Sequence, residues 1–450
     1  MDRHGAKLSS KKRVTRDFSP DALYGLVRAE LERIPEHAKG KVDVVMADAL
    51  MTGFSVFALK DQSLLAFDER RRNAHNLGTV FGITKVLCDS QLRTRLDAVS
   101  PVLLRPTFHA LIGKFQSSGL MAPFEFLNGY YLLALDGTGT FSSDCIHSEE
   151  CLTKTDKKTG KKTYYQKMLQ AAFVHPDHKE VIPLPPEMII KQDGSTKNDC
   201  EINASKRFFP IFRMMFPDIK VIVVEDGLYP NGPHLLELKK HDLRFIIGVK
   251  PGDHAFLFDY IKFAKAEGLT KEFELKDPRR PNVTHRFMYL NAVPINESHL
   301  DIAVNFMEYW QIEPSGIKKH FTWVTDIRIT KKTAYPIMKG GRARWKIENE
   351  TFNTLKNQGY NLEHNYGLGA KHLSAVFATL MVLAFLTDQL QQLCWPMFDE
   401  ARAKYRTNKA LREDIRRIFK SFHVDSARII YEAIVYGIRV QKPEILYDTS

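Results

Sequence analysis

The stretch Arg342-Ala-Arg-Trp-Lys-Ile-Glu-Asn-Glu-Thr-Phe-Asn-Thr-Leu-Lys356 decides how this chain is read. It has no Pro or Gly as far as Gln358, and Trp345, Ile347, Phe352 and Leu355 recur near helical spacing. The pattern predicts an amphipathic helix over 342–358, stopped by Gly359. Arg344 and Glu348 stand four apart and so share a face. Such a pair is an ordinary surface bridge, or it aims a carboxylate into a site; the company the helix keeps decides between them.

Working outward, three short apolar runs carry acids or cations at their ends. Tyr130-Tyr-Leu-Leu-Ala-Leu135 reads as a strand covered on both faces and ends in Asp136-Gly-Thr138. Ile219-Lys-Val-Ile-Val-Val224 ends in Glu225-Asp-Gly227, and Leu243-Arg-Phe-Ile-Ile-Gly-Val-Lys250 is a third strand of this type. A carboxylate at the end of a buried strand is costly unless something binds it. A strand pair is predicted over Gly139 to Ile146 and Tyr164 to Val174, around the polar turn Lys157 to Lys162. Helices are predicted from Lys197-Asn-Asp199 to Pro217 and from Pro233 to His241. Alternating strands and helices predict an α/β fold, a mixed sheet flanked by helices with its chemistry at one edge.

The flanks differ in texture. Residues 1–18 form a basic, polar tail containing Lys7, Lys11, Lys12, Arg13 and Arg16, and Ser19-Pro20-Asp21 opens a helical N-terminal region over 19–125. Within it, Leu77 to Leu96 reads as helix, turn and helix, with Arg93 and Arg95 and the preceding Arg70, Arg71 and Arg72. This is either a packing unit or a DNA-end-binding module. Residues 126–250 hold the first part of the sheet. From 251 to 338, short alternating runs broken by Pro278, Pro281, Pro294 and Pro314 predict a mostly β insertion. Residues 339–395 return to the core with the glutamate helix and an apolar helix, and 396–450 form a helical C-terminal region. The apolar run Leu373 to Leu386 is too short to span a bilayer, so no membrane contact is expected.

A chain of 450 residues with 44% hydrophobic and 26% charged residues has several structural units, and its net charge of +12 suits a polyanionic partner. No signal peptide is visible at the N-terminus. Five scattered cysteines suit a reducing compartment. Cys145, His147, Cys151 and Cys200 offer soft ligands, in a spacing that matches no tight zinc module.

Two strand-end aspartates and one helical glutamate are the donor set of a two-metal phosphodiester site, because carboxylates hold Mg²⁺ and leave positions for water and phosphate. Leu135-Asp-Gly-Thr138, Glu225-Asp-Gly-Leu-Tyr229 with Phe245-Ile-Ile-Gly-Val-Lys250, and Arg344-Trp-Lys-Ile-Glu348 together resemble the DDE transposases of bacterial insertion sequences. The resembling group carries a β insertion inside an RNase H-like catalytic domain, and the likeness covers about residues 130 to 395.

The resemblance implies Asp136, Asp226 and Glu348 as catalytic and metal-holding residues, two Mg²⁺ ions with Mn²⁺ as a substitute, and Arg344 as a phosphate or ordering contact. It also implies double-stranded DNA as transposon end and target, at least a homodimer on that DNA, and a nucleoid-associated place in the bacterial cytoplasm. The family's tyrosine three positions before the arginine is Gly341 here, and its lysine seven after the glutamate is displaced to Lys356. In an unbroken α-helix an eighth residue points about 80° away from the glutamate, a seventh only about 20°. Glu350 competes with Glu348, but in such a helix it lies about 160° from it.

Lys250, Arg279, Arg280, Lys318, Lys319, Arg342 and Lys346 are candidate phosphate contacts. Trp310 and Trp323 are candidates for stacking on an extruded base, or core residues of the insertion, and Trp345 is expected to pack beside the site. The expected activity is cleavage at terminal inverted repeats followed by strand transfer. The alternatives are an RNase H-like nuclease without strand transfer and a non-catalytic DNA-binding relic.

Overall fold

The structure is a computed structural model that describes residues 16–37, 42–71, 74–191 and 199–438. Most of the basic tail, Arg72, Lys197 and the last part of the C-terminal region lie outside them. Among the described residues the chain forms two compact units. One holds Ile112–Lys356 and Leu362–Ala370; the other holds the residues up to Leu111, Asn357–Asn361 and those from Lys371 onward.

The first unit is built on an 11-stranded mixed sheet. Its strands are β1 (Tyr131–Ser143), β2 (Leu152–Thr155), β3 (Lys162–Val174), β4 (Ile182–Pro183), β5 (Glu187–Ile189) and β6 (Val221–Glu225), followed by β7 (Arg244–Gly248), β8 (Lys271–Lys276), β9 (Thr284–Asn296), β10 (His299–Glu313) and β11 (Gly316–Thr325). The order is β2-β3-β1-β6-β7-β11-β10-β9-β8, with β4 and β5 paired to β3. Only β1, β6 and β7 run parallel, and every residue of β6 is buried, as its unbroken apolar sequence requires.

Three expectations are corrected here. First, Asp136 does not end its strand: β1 runs on to Ser143, and what ends near Asp136 is the pairing with β6, whose last partners are Ala134 and Val224. Second, the region 251–338 opens with a helix, Ala255–Ala266, which buries Leu257, Ile261 and Ala264. Its strands β8 to β11 join the central sheet, because β11 pairs with β7 (Trp323 with Gly248, Val324 with Ile247).

Third, the glutamate helix starts earlier and is not uniform. It runs from Ala334 to Ala343, turns at Arg344, winds as a π-helix over Ile347–Phe352 and finishes as an α-helix over Asn353–Asn357. A π turn takes up one extra residue. Lys356, the eighth residue after Glu348, therefore returns to about the angular place a seventh residue has in an unbroken helix. The two glycines near the end of its first segment lie close against the sheet, Gly341 the closer. A Cβ on Gly341 would lie 2.4 Å from Trp323 Nε1, and one on Gly340 would lie 3.0 Å from Ile246 Cδ1.

The second unit is helical and joins both ends of the chain. Met46–Ala58, buried along its whole length, packs against Leu373–Cys394, the helix expected to close the sheet's core. That helix has 22 residues, so its length does suffice to cross a bilayer, but 89% of its most apolar window is buried inside the protein. A charged cluster is buried beside it: Asp388 meets Lys60 at 2.6 Å and Arg412 at 2.8 Å.

Of the expected helix-turn-helix, both helices form, Ala74–Phe81 and Asp89–Asp97. The Asp48 carboxylate holds their connection, accepting from the backbone N–H of Thr84 (3.2 Å) and Lys85 (3.1 Å). The arginines are engaged within the protein, Arg95 with Glu36 (2.6 Å), Arg93 with Asp89 (3.5 Å) and Arg71 with Asp68 (2.5 Å).

Because Trp323 fills the space a side chain at 341 would need, Gly341→Ala should destabilise the protein by about 1–3 kcal/mol in urea unfolding. The smaller ring of Trp323→Phe in the same chain should recover part of the loss. An alanine variant as stable as wild type would show the contact to be loose.

Candidate active site

Strand register explains how Asp136 and Asp226, far apart in the chain, come to one face of the sheet. β1 and β6 run parallel with Leu132 opposite Ile222 and Ala134 opposite Val224. Side chains alternate along a strand, so Asp136 and Asp226, each two positions further on, fall on one face of the sheet. Gly137 and Glu225 turn to the other. The helix Ala334–Ala343 and the π turn cover the first face, packing on β1, β3, β6 and β7.

Arg344 reaches from that cover to both sides of the site. Its Nη1 donates to Asp136 Oδ2 at 3.0 Å and its Nη2 to Glu348 Oε1 at 2.8 Å. The pair at spacing four is thus one half of a bridge whose other half is the strand aspartate. Asp136 Oδ1 accepts from the N–H of Gly137 at 2.8 Å, and Asp226 Oδ1 from that of Leu228 at 2.9 Å.

Burial pushes the Asp136 carboxyl up to about 6. Arg344 and the Gly137 N–H pull it down, while the charges of Asp226 and Glu348 push it further up. The charges of Asp226 and Glu348 are thus near enough to be felt at Asp136.

The donor set suits hard divalent cations, three carboxylates and no thiolate. As the chain is folded here, the guanidinium of Arg344 stands between two of them, and among the described residues no three His, Cys, Asp or Glu side chains gather closely enough to hold an ion. The soft group is scattered as well: Cys151 is buried, Cys145 and Cys200 are exposed, and His147 stacks on Tyr164 with ring centroids 4.0 Å apart.

A cavity of about 710 Å³ opens at Asp226, lined by Lys250, Asn231, His254, Asn296 and Glu297 among others. It is large enough for a nucleotide. Arg342 turns toward the insertion strands, with Gln311 at 3.5 Å and the Phe321 ring at 5.7 Å. Arg342 and Arg280 both lower the pKa of Lys319, Arg342 most strongly, which marks a gathering of cations favourable to a polyanion.

Other expected contacts are occupied. Lys346 donates to the His178 carbonyl and is partly buried, which lowers its pKa; Glu350 lies near it. Lys356 pairs with Glu363 at 2.7 Å. Trp310 stacks on His320, 5.3 Å between centroids, and Trp323 is 4% exposed, with its ring between Phe321 and Gly341. Trp345, expected to pack beside the site, is 61% exposed.

Sequence reading missed Glu201, whose carboxyl lies against Gly137 on the other face of the sheet, and Lys167, which pairs with it. Compared with protein-family models the chain matches none, and no curated protein matches it.

The raised carboxyl of Asp136 gives a pH test on metal-free protein. A folded-state value above the ordinary 3.8 means that the fold favours the protonated form, so stability falls as pH rises from about 4 through about 6. Asp136→Asn should therefore be more stable than wild type at pH 8, by about 1–3 kcal/mol, with no gain at pH 4. Thermal unfolding at the two pH values checks the sign; a destabilised variant at pH 8 would mean that the Arg344 bridge outweighs burial.

Proposed function

We propose that this chain is a DDE transposase with an RNase H-like catalytic core, acting on double-stranded DNA at the terminal inverted repeats of its own element. The observation that carries the reading is the bridge from Asp136 through Arg344 to Glu348, with Asp226 brought to the same face of the sheet by the parallel register of β1 and β6. Asp136, Asp226 and Glu348 would hold divalent cations, which supply an activated water or 3′-hydroxyl and stabilise the leaving oxygen.

The chain's own residues do the rest. Arg344 keeps Asp136 and Glu348 paired until DNA arrives, and then is free to take a phosphate, for which its planar fork is suited. Lys250, beside Asp226, meets the backbone on the cavity side. Arg280, Lys319 and Arg342 attract phosphates further along the insertion. The net charge of +12 favours the same partner.

Duplex DNA carrying the repeats that flank the coding sequence, incubated with Mg²⁺, should be cut by the wild type, and Asp226→Asn should lose at least a thousandfold in rate. Equal cutting by the variant removes the metal assignment. A joined product on target DNA supports transposition, whereas cut ends that never join leave an RNase H-like nuclease. Arg342→Ala should keep the chemistry on saturating DNA yet reduce the slope of log affinity against log salt by about 0.9.

A further inference from the structure

On the far face of the sheet, beneath the two aspartates, one carboxylate touches three elements. Glu201 is the first residue of the helix Glu201–Met215, and its side chain is only 15% exposed. Lys167 of β3 donates from Nζ to Glu201 Oε1 at 2.7 Å, and the buried Tyr229 donates from its hydroxyl to Oε2 at 3.3 Å.

The third contact is with the backbone after Asp136. A Cβ on Gly137 would lie 2.3 Å from the Glu201 carboxyl carbon, so glycine is there because the carboxylate fills that space. Tyr229 in turn closes the turn after β6, its N–H donating to the Asp226 carbonyl at 3.3 Å.

We infer that Glu201 is a positioning residue, a brace that fixes the distance between the Asp136-Gly137 backbone and the Asp226-to-Tyr229 turn from behind the sheet. Both of its oxygens are already engaged, which makes it a spacer for the two aspartates and not a further ligand. Lys167 supplies the charge that makes burying it tolerable. Its value for DNA cleavage rests on the transposase reading; the brace itself does not.

The experiment has a metal-free arm and a metal arm. In metal-free protein, Glu201→Gln should raise amide hydrogen exchange about tenfold over residues 136–139 and 226–230 together, with the melting temperature within a few degrees of wild type. Mn²⁺ binding followed by electron paramagnetic resonance should weaken at least threefold, and Lys167→Met combined with Glu201→Gln should add nothing further.

Unchanged exchange in both segments overturns the brace, as does a change confined to one of them. If Glu201→Gln fails to fold, Tyr229→Phe, which removes one hydroxyl, decides: faster exchange in both segments sustains the brace and wild-type exchange ends it. Wild type and Asp226→Asn binding Mn²⁺ equally would sink the transposase reading while leaving the exchange result to judge Glu201.

Discussion

A carboxylate buried where two parallel strands part company is expensive unless a cation answers it, and in this chain the cation is Arg344. Everything around the site follows from getting that guanidinium to Asp136. The helix that carries it must lie close on β6 and β7, which is why Gly340 and Gly341 come just before it, where a side chain would strike Ile246 or Trp323. Once there, the fork has a second nitrogen free to donate, and Glu348, one turn on, accepts from it. One guanidinium thus fixes the strand aspartate and the helical glutamate relative to each other.

The opposite face of the sheet shows the complementary solution. Gly137 and Glu225 alternate away from the acids, and polar groups gather there too: Glu201 with Lys167 and Tyr229, and Glu225 with His234 at 2.8 Å, both fully buried. The place where β1 and β6 part is thus held from both faces of the sheet, by the Arg344 bridge on one and by a buried polar network on the other.

What could be read in the sequence was whatever is written locally. The apolar runs of β1, β6 and β7 announce buried parallel strands, and the Asp after each of the first two runs marks a candidate site, because a buried carboxylate is costly without a partner. What could not be read depends on partners far along the chain. β11 joins β7 through residues some seventy-five positions away, and no local pattern distinguishes a strand that extends the core sheet from one in a separate module. Glu201 has no signature for the same reason: a lone acid at a helix start reads as a favourable charge on the helix dipole, and its three contacts lie on other elements. The helix Ala255–Ala266 was missed through its aromatic richness, which imitates strand composition while Leu257, Ile261 and Ala264 keep helical spacing.

Gly341 lies in the regular α-helix Ala334–Ala343, and the indole of Trp323 from β11 fills the space beside it, so the surface under the helix stays filled. Between Glu348 and Lys356 there is one residue too many for an α-helix, and the π turn over Ile347–Phe352 absorbs it, with the Asn353 N–H reaching back to the Glu348 carbonyl. A π turn is strained relative to an α-helix and persists only where its neighbours hold it. Here the holding is visible: Ile347, Thr351 and Phe352 are buried beneath it, and the turn packs on β1 and β3. The extra residue that a π turn takes up is thus absorbed within the turn that carries the glutamate.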